Sequence, residues 1–110
     1  MTVVLPWPPS ILSPNSRQHW AQKARATKTY RHACWALTKQ ANIRTIPAGR
    51  VSVLLEFVPP DRRHRDRDNM LAAMKSGLDG LADALGINDN RFELTIRVAD
   101  EIGGFVRVTL

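Results

Sequence analysis

Eight residues near the middle of the chain, Val51-Ser-Val-Leu-Leu-Glu-Phe-Val58, are half β-branched or aromatic, alternate in part, and stop at Pro59-Pro60. β-Branched and aromatic side chains suit a pleated, half-buried surface, and proline cannot donate to a ladder, so this run reads as a strand. A strand needs partner strands and a covering layer, and the flanking sequence supplies candidates for both. Thr2 to Leu5 reads as a short strand closed by Pro6, Pro8 and Pro9, and residues 6–16 as a loop. From Ser16 to about Ile43 the pattern is helical, with Tyr30, Ala33, Cys34, Leu37 and Ala41 at spacings of three and four. The helix is expected to end before Pro47 and Gly49. Asp61 to Asp68 forms a highly charged loop, and Asn69 to Leu85 a second helix with Gly86 at its C-cap. Glu93–Ala99 and Gly104–Leu110 alternate well, and Asp100, Glu101, Gly103 and Gly104 between them predict a hairpin. The order β-α-β-α-β-β predicts an α+β fold, a small mixed sheet with two helices packed on it. At 110 residues the chain is expected to be one domain spanning 1–110.

Charge narrows the partners. The net charge is +6, and it is unevenly spread: residues 1–60 carry eight Lys/Arg against the single acid Glu56, whereas residues 61–110 carry eight against nine acids. A basic region attracts phosphate backbones by counterion release, and a ribosomal type of RNA-binding protein would suit that charge equally well. No apolar run approaches the ~20 residues that span a bilayer, and Met1 to Pro9 lacks the basic start and long apolar stretch of a secretory signal. One cysteine, Cys34, allows neither an intramolecular disulfide nor a multi-cysteine zinc site, and it is expected to be buried in the first helix. These features point to a cytoplasmic protein without a membrane partner.

The acids are clustered where chemistry could use them. Asp66-Arg67-Asp68-Asn69 stands at the junction of loop and second helix, with Lys75, Asp79 and Asp89 further on. Magnesium takes hard oxygen ligands, few of them from protein, and leaves positions for water and substrate phosphate. Such an ion can polarise a phosphate and activate water. At 100° per residue, Lys75 and Asp79 lie within about 20° of the Asp68 direction, beside the apolar face of Met70, Leu71, Met74, Leu78, Leu81 and Leu85. The bland alternative is equally physical. Asp66 or Asp68 could simply cap the helix, and Lys75–Asp79 could be a surface i,i+4 pair.

Three segments resemble the RusA family of Holliday junction resolvases, which phages and prophages often carry. They are Leu5-Pro6-Trp7-Pro8-Pro9-Ser10 followed by Asn15, then Pro60-Asp61-Arg62-Arg63-His64-Arg65-Asp66-Arg67-Asp68-Asn69, and then Leu78-Asp79-Gly80-Leu81 through Gly86-Ile87-Asn88-Asp89. They run in order over almost the whole chain. The resemblance implies a homodimer that binds four-way DNA junctions and nicks them in pairs, a magnesium-dependent reaction of recombination and repair; manganese is a possible substitute. It implies catalytic, metal-holding roles for Asp66, Asp68 and Asp89, and a catalytic role for Lys75. Two positions depart from the family pattern. The family's late site is often a pair of adjacent Asp, where this chain reads Asn88-Asp89-Asn90, so that an offset of one residue would put Asn90 at the catalytic position; and Ala72 stands where the family often has its lysine, with Lys75 three residues later.

Arg62, Arg63, Arg65 and Arg67 are then expected to contact DNA phosphates, since guanidinium forks fit phosphate well. Lys23, Arg25 and Lys28 of the first helix are expected to add further DNA contacts. His64 reads as an additional polar contact, Asn69 as a residue that orders the junction of loop and helix. Trp7, Trp20 and Trp35 could stack on unpaired bases, with core or interface packing the favoured role for Trp35. The alternative function is a branched-DNA-binding protein that does not cut.

Overall fold

The protein is described by a computed structural model, which covers residues 1–17, 19–43 and 45–110. Position 18 of the expected first helix and Arg44 of the basic half lie outside the described residues. The fold is α+β, with three helices and a four-stranded mixed sheet. In chain order the elements are β1 (Thr2–Pro6), α1 (Trp20–Gln40), β2 (Val51–Val58), α2 (Arg67–Ala73), α3 (Lys75–Leu85), β3 (Phe92–Val98) and β4 (Phe105–Thr109). Single 3-10 turns at Ser10–Leu12 and Asp89–Arg91 sit in two of the connections.

The strands lie in the order β1-β4-β2-β3. β2 and β3 are parallel, Val51 opposite Phe92 and Phe57 opposite Val98, joined by a crossover through α2 and α3. β4 is antiparallel to both β1 and β2, with Val108 between Val3 and Leu55. The expected hairpin of the last two strands is therefore not formed. The chain leaves β3 and passes over the end of β2, where Ala99 N–H donates to Phe57 O (2.9 Å), Gly104 N–H to Val58 O and Gly103 N–H to Pro59 O (both 2.8 Å). The turn residues are real, but they bend the chain around a strand. β2 has buried residues at almost every second position and needs a ladder on each side, so it takes the place between β3 and β4.

The helices cover one face of the sheet. Val3, Leu5, Val53, Leu55, Phe57, Val106 and Val108 meet Tyr30, Cys34, Met70, Met74, Leu78 and Leu81 in one core. α1 starts at Trp20, later than the expected Ser16, because His19 takes extended dihedrals and caps it: His19 Nδ1 accepts from Ala21 N–H at 3.2 Å. It ends at Gln40, and Asn42 turns the chain out with φ of 54°. Its buried residues are Tyr30, Cys34 and Thr38, whose hydroxyl donates to Cys34 O. Leu37, expected on the core face, lies at its exposed edge.

The second expected helix is two helices. A turn at Met74 separates α2 from α3, and Met74 N–H is shared by the carbonyls of Met70 and Leu71, both at 3.1 Å. α3 lies close against α1 through glycines. A Cβ at Gly77 would come within 2.7 Å of the Tyr30 ring, and one at Gly80 within 2.2 Å of Arg31 O. Tyr30 is held across this layer by donating its hydroxyl to Pro6 O at 2.6 Å, and burial pushes its pKa up. Among the described residues, no helix is long and apolar enough to cross a membrane.

Candidate functional site

Proline and charge shape the site. The segment after β1 cannot continue in the sheet because Pro8 and Pro9 lack N–H donors, so it folds over the helical layer as a loop ending in the 3-10 turn. The segment after β2 is released in the same way by Pro59-Pro60. The two loops meet. Trp7, Pro8, Pro9, Ser10, Ser13 and Asn15 from the first, with Pro60, Arg63, His64, Arg65, Asp66 and Asn69 from the second, line one cleft of about 540 Å³ floored by Met70 and Ala73.

Trp7 anchors the junction of the loops, packing edge-on against Phe57 at 5.8 Å between ring centroids. The Arg65 guanidinium lies over the Trp7 ring at 5.4 Å. Arg65 also donates to the carbonyls of Asp61 (3.2 Å) and Arg63 (3.0 Å) and pairs with the Asp61 carboxylate at 2.9 Å. The Arg63 N–H and then the two arginine side chains hold the Asp61 carboxyl below the ordinary carboxylate range. With only 15% of its side chain exposed, Arg65 spends its donors on the loop itself. It is a brace of the cleft wall, which differs from the DNA contact expected of it. Arg62, Arg63 and Arg67 are exposed, as is His64, and Arg63 and His64 face the cleft. Lys23, Arg25 and Lys28 are carried on α1, and none of them lines this cleft.

The aspartates divide into two groups. Asp66 is the N-cap of α2: its Oδ1 accepts from Asp68 N–H at 2.7 Å and Asn69 N–H at 3.4 Å. This satisfies donors that a helix start leaves open, so the capping role is filled. Asn69 joins this junction through its backbone and lines the cleft. Asp68 sits exposed in the first turn of α2, and among the described residues its carboxylate takes no hydrogen bond or ion pair. Asp89, in the second 3-10 turn, is held differently. Lys75 Nζ, at the start of α3, donates to Asp89 Oδ2 and to Asp79 Oδ1, each at 2.7 Å. The helical stripe thus holds for Lys75 and Asp79, one turn apart on α3, while Asp68 lies beyond the Met74 turn and does not join them.

A divalent cation was expected between Asp66, Asp68 and Asp89. Among the described residues no three His, Cys, Asp or Glu side chains gather into a group that could hold a metal ion. The donors are right in kind, hard carboxylate oxygens. As placed they do not fit the ion, because they are not gathered and Asp89 already faces the Lys75 ammonium, although the cap engages only Oδ1 of Asp66.

The Lys75 hydrogen bond and charge lower the pKa of Asp89, and those of Asp79 and Asp89 raise that of Lys75. A depressed carboxylate pKa means that the pair contributes above the unfolded-state value and is lost as pH falls through the folded one. Lys75→Met should therefore shift the Asp89 titration upward. Carboxyl-carbon NMR on both proteins checks this, and an unmoved Asp89 titration would show that the pair does not persist in solution.

The sequence reading missed Arg31 and Asp83, which form a bidentate pair between α1 and α3 at 2.7 and 3.0 Å. No local spacing could reveal them, since 52 residues separate the partners. No protein-family model matches the chain. An uncharacterized protein of Xylella fastidiosa (strain Temecula1 / ATCC 700964) is 40% identical over 114 residues, an overlap spanning 99% of this chain and 74% of the Xylella protein. The chain belongs to one family with that Xylella protein.

Proposed function

We propose that the protein is a metal-dependent, structure-selective DNA endonuclease that resolves four-way junctions by hydrolysing phosphodiester bonds, a RusA-type activity of recombination and repair. The observation that carries the reading is the cleft. Its walls are the two segments that most resemble RusA resolvases, residues 5–15 and 60–69, some fifty positions apart in the chain. A wall with exposed Arg63 and His64 beside Asp66 suits a phosphate backbone, and Arg62 and Arg67 extend that surface. Arg65 and Trp7 hold the wall in shape before substrate arrives.

In this reading Asp66 and Asp68 lie against the DNA, with Asp89 completing the acidic set and Lys75 positioning it. Three carboxylates facing a phosphodiester repel it unless a cation neutralises them, so magnesium, or manganese, belongs to the proposal. Asp66, Asp68 and Asp89 would be the residues to hold such an ion, which would neutralise charge at the phosphate, and Asp89 would have to be free of Lys75 to do so. Both side chains of that pair are substantially exposed, where screening by water keeps ion pairs weak. A homodimer would set two such clefts on a junction that is itself two-fold symmetric. Such a substrate places the protein in the cytoplasm.

One observation favours a second reading, a protein that binds branched DNA without cutting it: the carboxylates are not gathered, and Asp89 is paired with Lys75. Incubation with labelled four-way junction, linear duplex and RNA, with and without magnesium, separates the two. Magnesium-dependent nicking of the junction alone is the expected result. Tight junction binding with no nicking at any magnesium or manganese concentration would establish the second reading, and a preference for RNA would remove both.

A further inference from the structure

The long helix α1 has a face that neither the core nor the cleft uses. Its 21 residues include five cations, Lys23, Arg25, Lys28, Arg31 and Lys39, and no acid. It also displays aromatic surface, with Trp20 75% exposed and Trp35 37% exposed. One turn before Trp35, His32 lies against it, ring centroids 5.4 Å apart and planes 29° from parallel. These two rings, with Lys28, Thr29, Arg31 and Asp83, line a shallow open cleft of about 600 Å³. The acid among these lining residues is already paired, since Arg31 clamps Asp83 with two hydrogen bonds. Lys28 is exposed and, among the described residues, takes no ion pair. The backbone beneath the rings is fixed, because the Arg31–Trp35 turn rests on Gly80 of α3.

We propose that this face of α1 binds single-stranded nucleic acid, an unpaired base stacking on the Trp35–His32 rings and a neighbouring phosphate meeting Lys28. Base–aromatic stacking beside a cation is the usual physical basis of sequence-tolerant single-strand binding. A second copy of the chain is a poorer occupant, because two copies of α1, a helix with five cations and no acid of which only Arg31 is paired with an acid among the described residues, would repel. In a junction resolvase the unpaired base would come from a strand opened near the branch. The inference thus rests on the DNA-binding part of the proposed function and not on cleavage.

The test is tryptophan fluorescence of the full chain titrated with a short oligothymidylate in EDTA, so that nothing is cut. The wild type should be quenched. Trp35→Ala should bind about 10-fold more weakly, and Trp35→Phe should recover part of the loss. Lys28→Ala, a change at an exposed position, should lower affinity and reduce the salt dependence by about one counterion. No binding by the wild type, or unchanged affinity in both Trp35→Ala and Lys28→Ala, would overturn the proposal. So would sedimentation showing that Trp35→Ala only separates a dimer while oligothymidylate affinity holds. Junction nicking measured on the same variants separates the two claims. Nicking with no single-strand binding removes only this inference, and single-strand binding through Trp35 and Lys28 without nicking removes only the cleavage reading.

Discussion

Gly80→Ala should destabilise the protein by about 3 kcal/mol or more, a loss large against the roughly 5–15 kcal/mol that holds a domain together. The added Cβ would lie 2.2 Å from the Arg31 carbonyl oxygen and 3.1 Å from the Trp35 nitrogen. Both are backbone atoms of a 21-residue helix, so no side chain can swing aside. Relief requires α1 and α3 to move apart, which opens the core around Tyr30, Cys34, Met74 and Leu81. Gly86→Ala is the matched control. Gly86 has φ of +69° as the C-cap of α3, and a Cβ there would meet nothing within 4 Å. Its cost is the left-handed backbone alone, about 1–2 kcal/mol. Urea unfolding of the three proteins checks the contrast. Equal midpoints for the two variants would mean that the helices are not packed as described.

That contrast also shows what local sequence can and cannot convey. Val51–Val58 is a strand as read from its β-branched pattern, and Thr2–Pro6, Phe92–Val98 and Phe105–Thr109 fall within a residue or so of the expected strands. Alternation and proline stops are local signals, and local structure follows them. Partnership is not local. The residues between β3 and β4 suit a tight turn, but whether two strands pair depends on what else needs those edges, and β2 needs both of its own. The same division runs through the site. Asp66 as a cap follows from its place two residues before the Asp68 N–H that it binds. The hold of Lys75 on Asp89, fourteen positions on, depends on where the chain returns after α3. Of the two packing roles expected for Trp35, core or interface, the core one is not taken: the pattern of α1 cannot show that α3 meets the helix through glycine, leaving the Trp35 ring at the rim. Thr38 in turn is buried because its hydroxyl satisfies itself on the Cys34 carbonyl, a bond that polarity alone would not suggest.

The largest functional effect is expected from the two aspartates at the start of α2, and their structural duties differ enough to make the result interpretable. Asp68→Asn should reduce magnesium-dependent junction nicking by about 10²-fold or more, the scale on which loss of one preorganised charged group at a reacting phosphate is felt. It should lower the unfolding midpoint only slightly, because among the described residues the Asp68 carboxylate has no hydrogen bond or ion pair to lose and only its favourable charge in the first turn of α2 goes. Asp66→Asn should reduce nicking as strongly. Its stability should also hold, because asparagine caps helices about as well as aspartate and can accept from the same two N–H groups. Asp66→Ala should lose the activity and, with the cap, about 1 kcal/mol of stability as well. Binding to the junction in EDTA should be kept or strengthened in all three, since each removes a negative charge from a surface that meets phosphate. Two outcomes would separate catalysis from architecture. If Asp68→Asn nicks at the wild-type rate, the acidic set is not what cuts. If Asp66→Asn weakens EDTA binding and lowers the unfolding midpoint together, the carboxylate at the α2 cap serves the fold and not the phosphodiester.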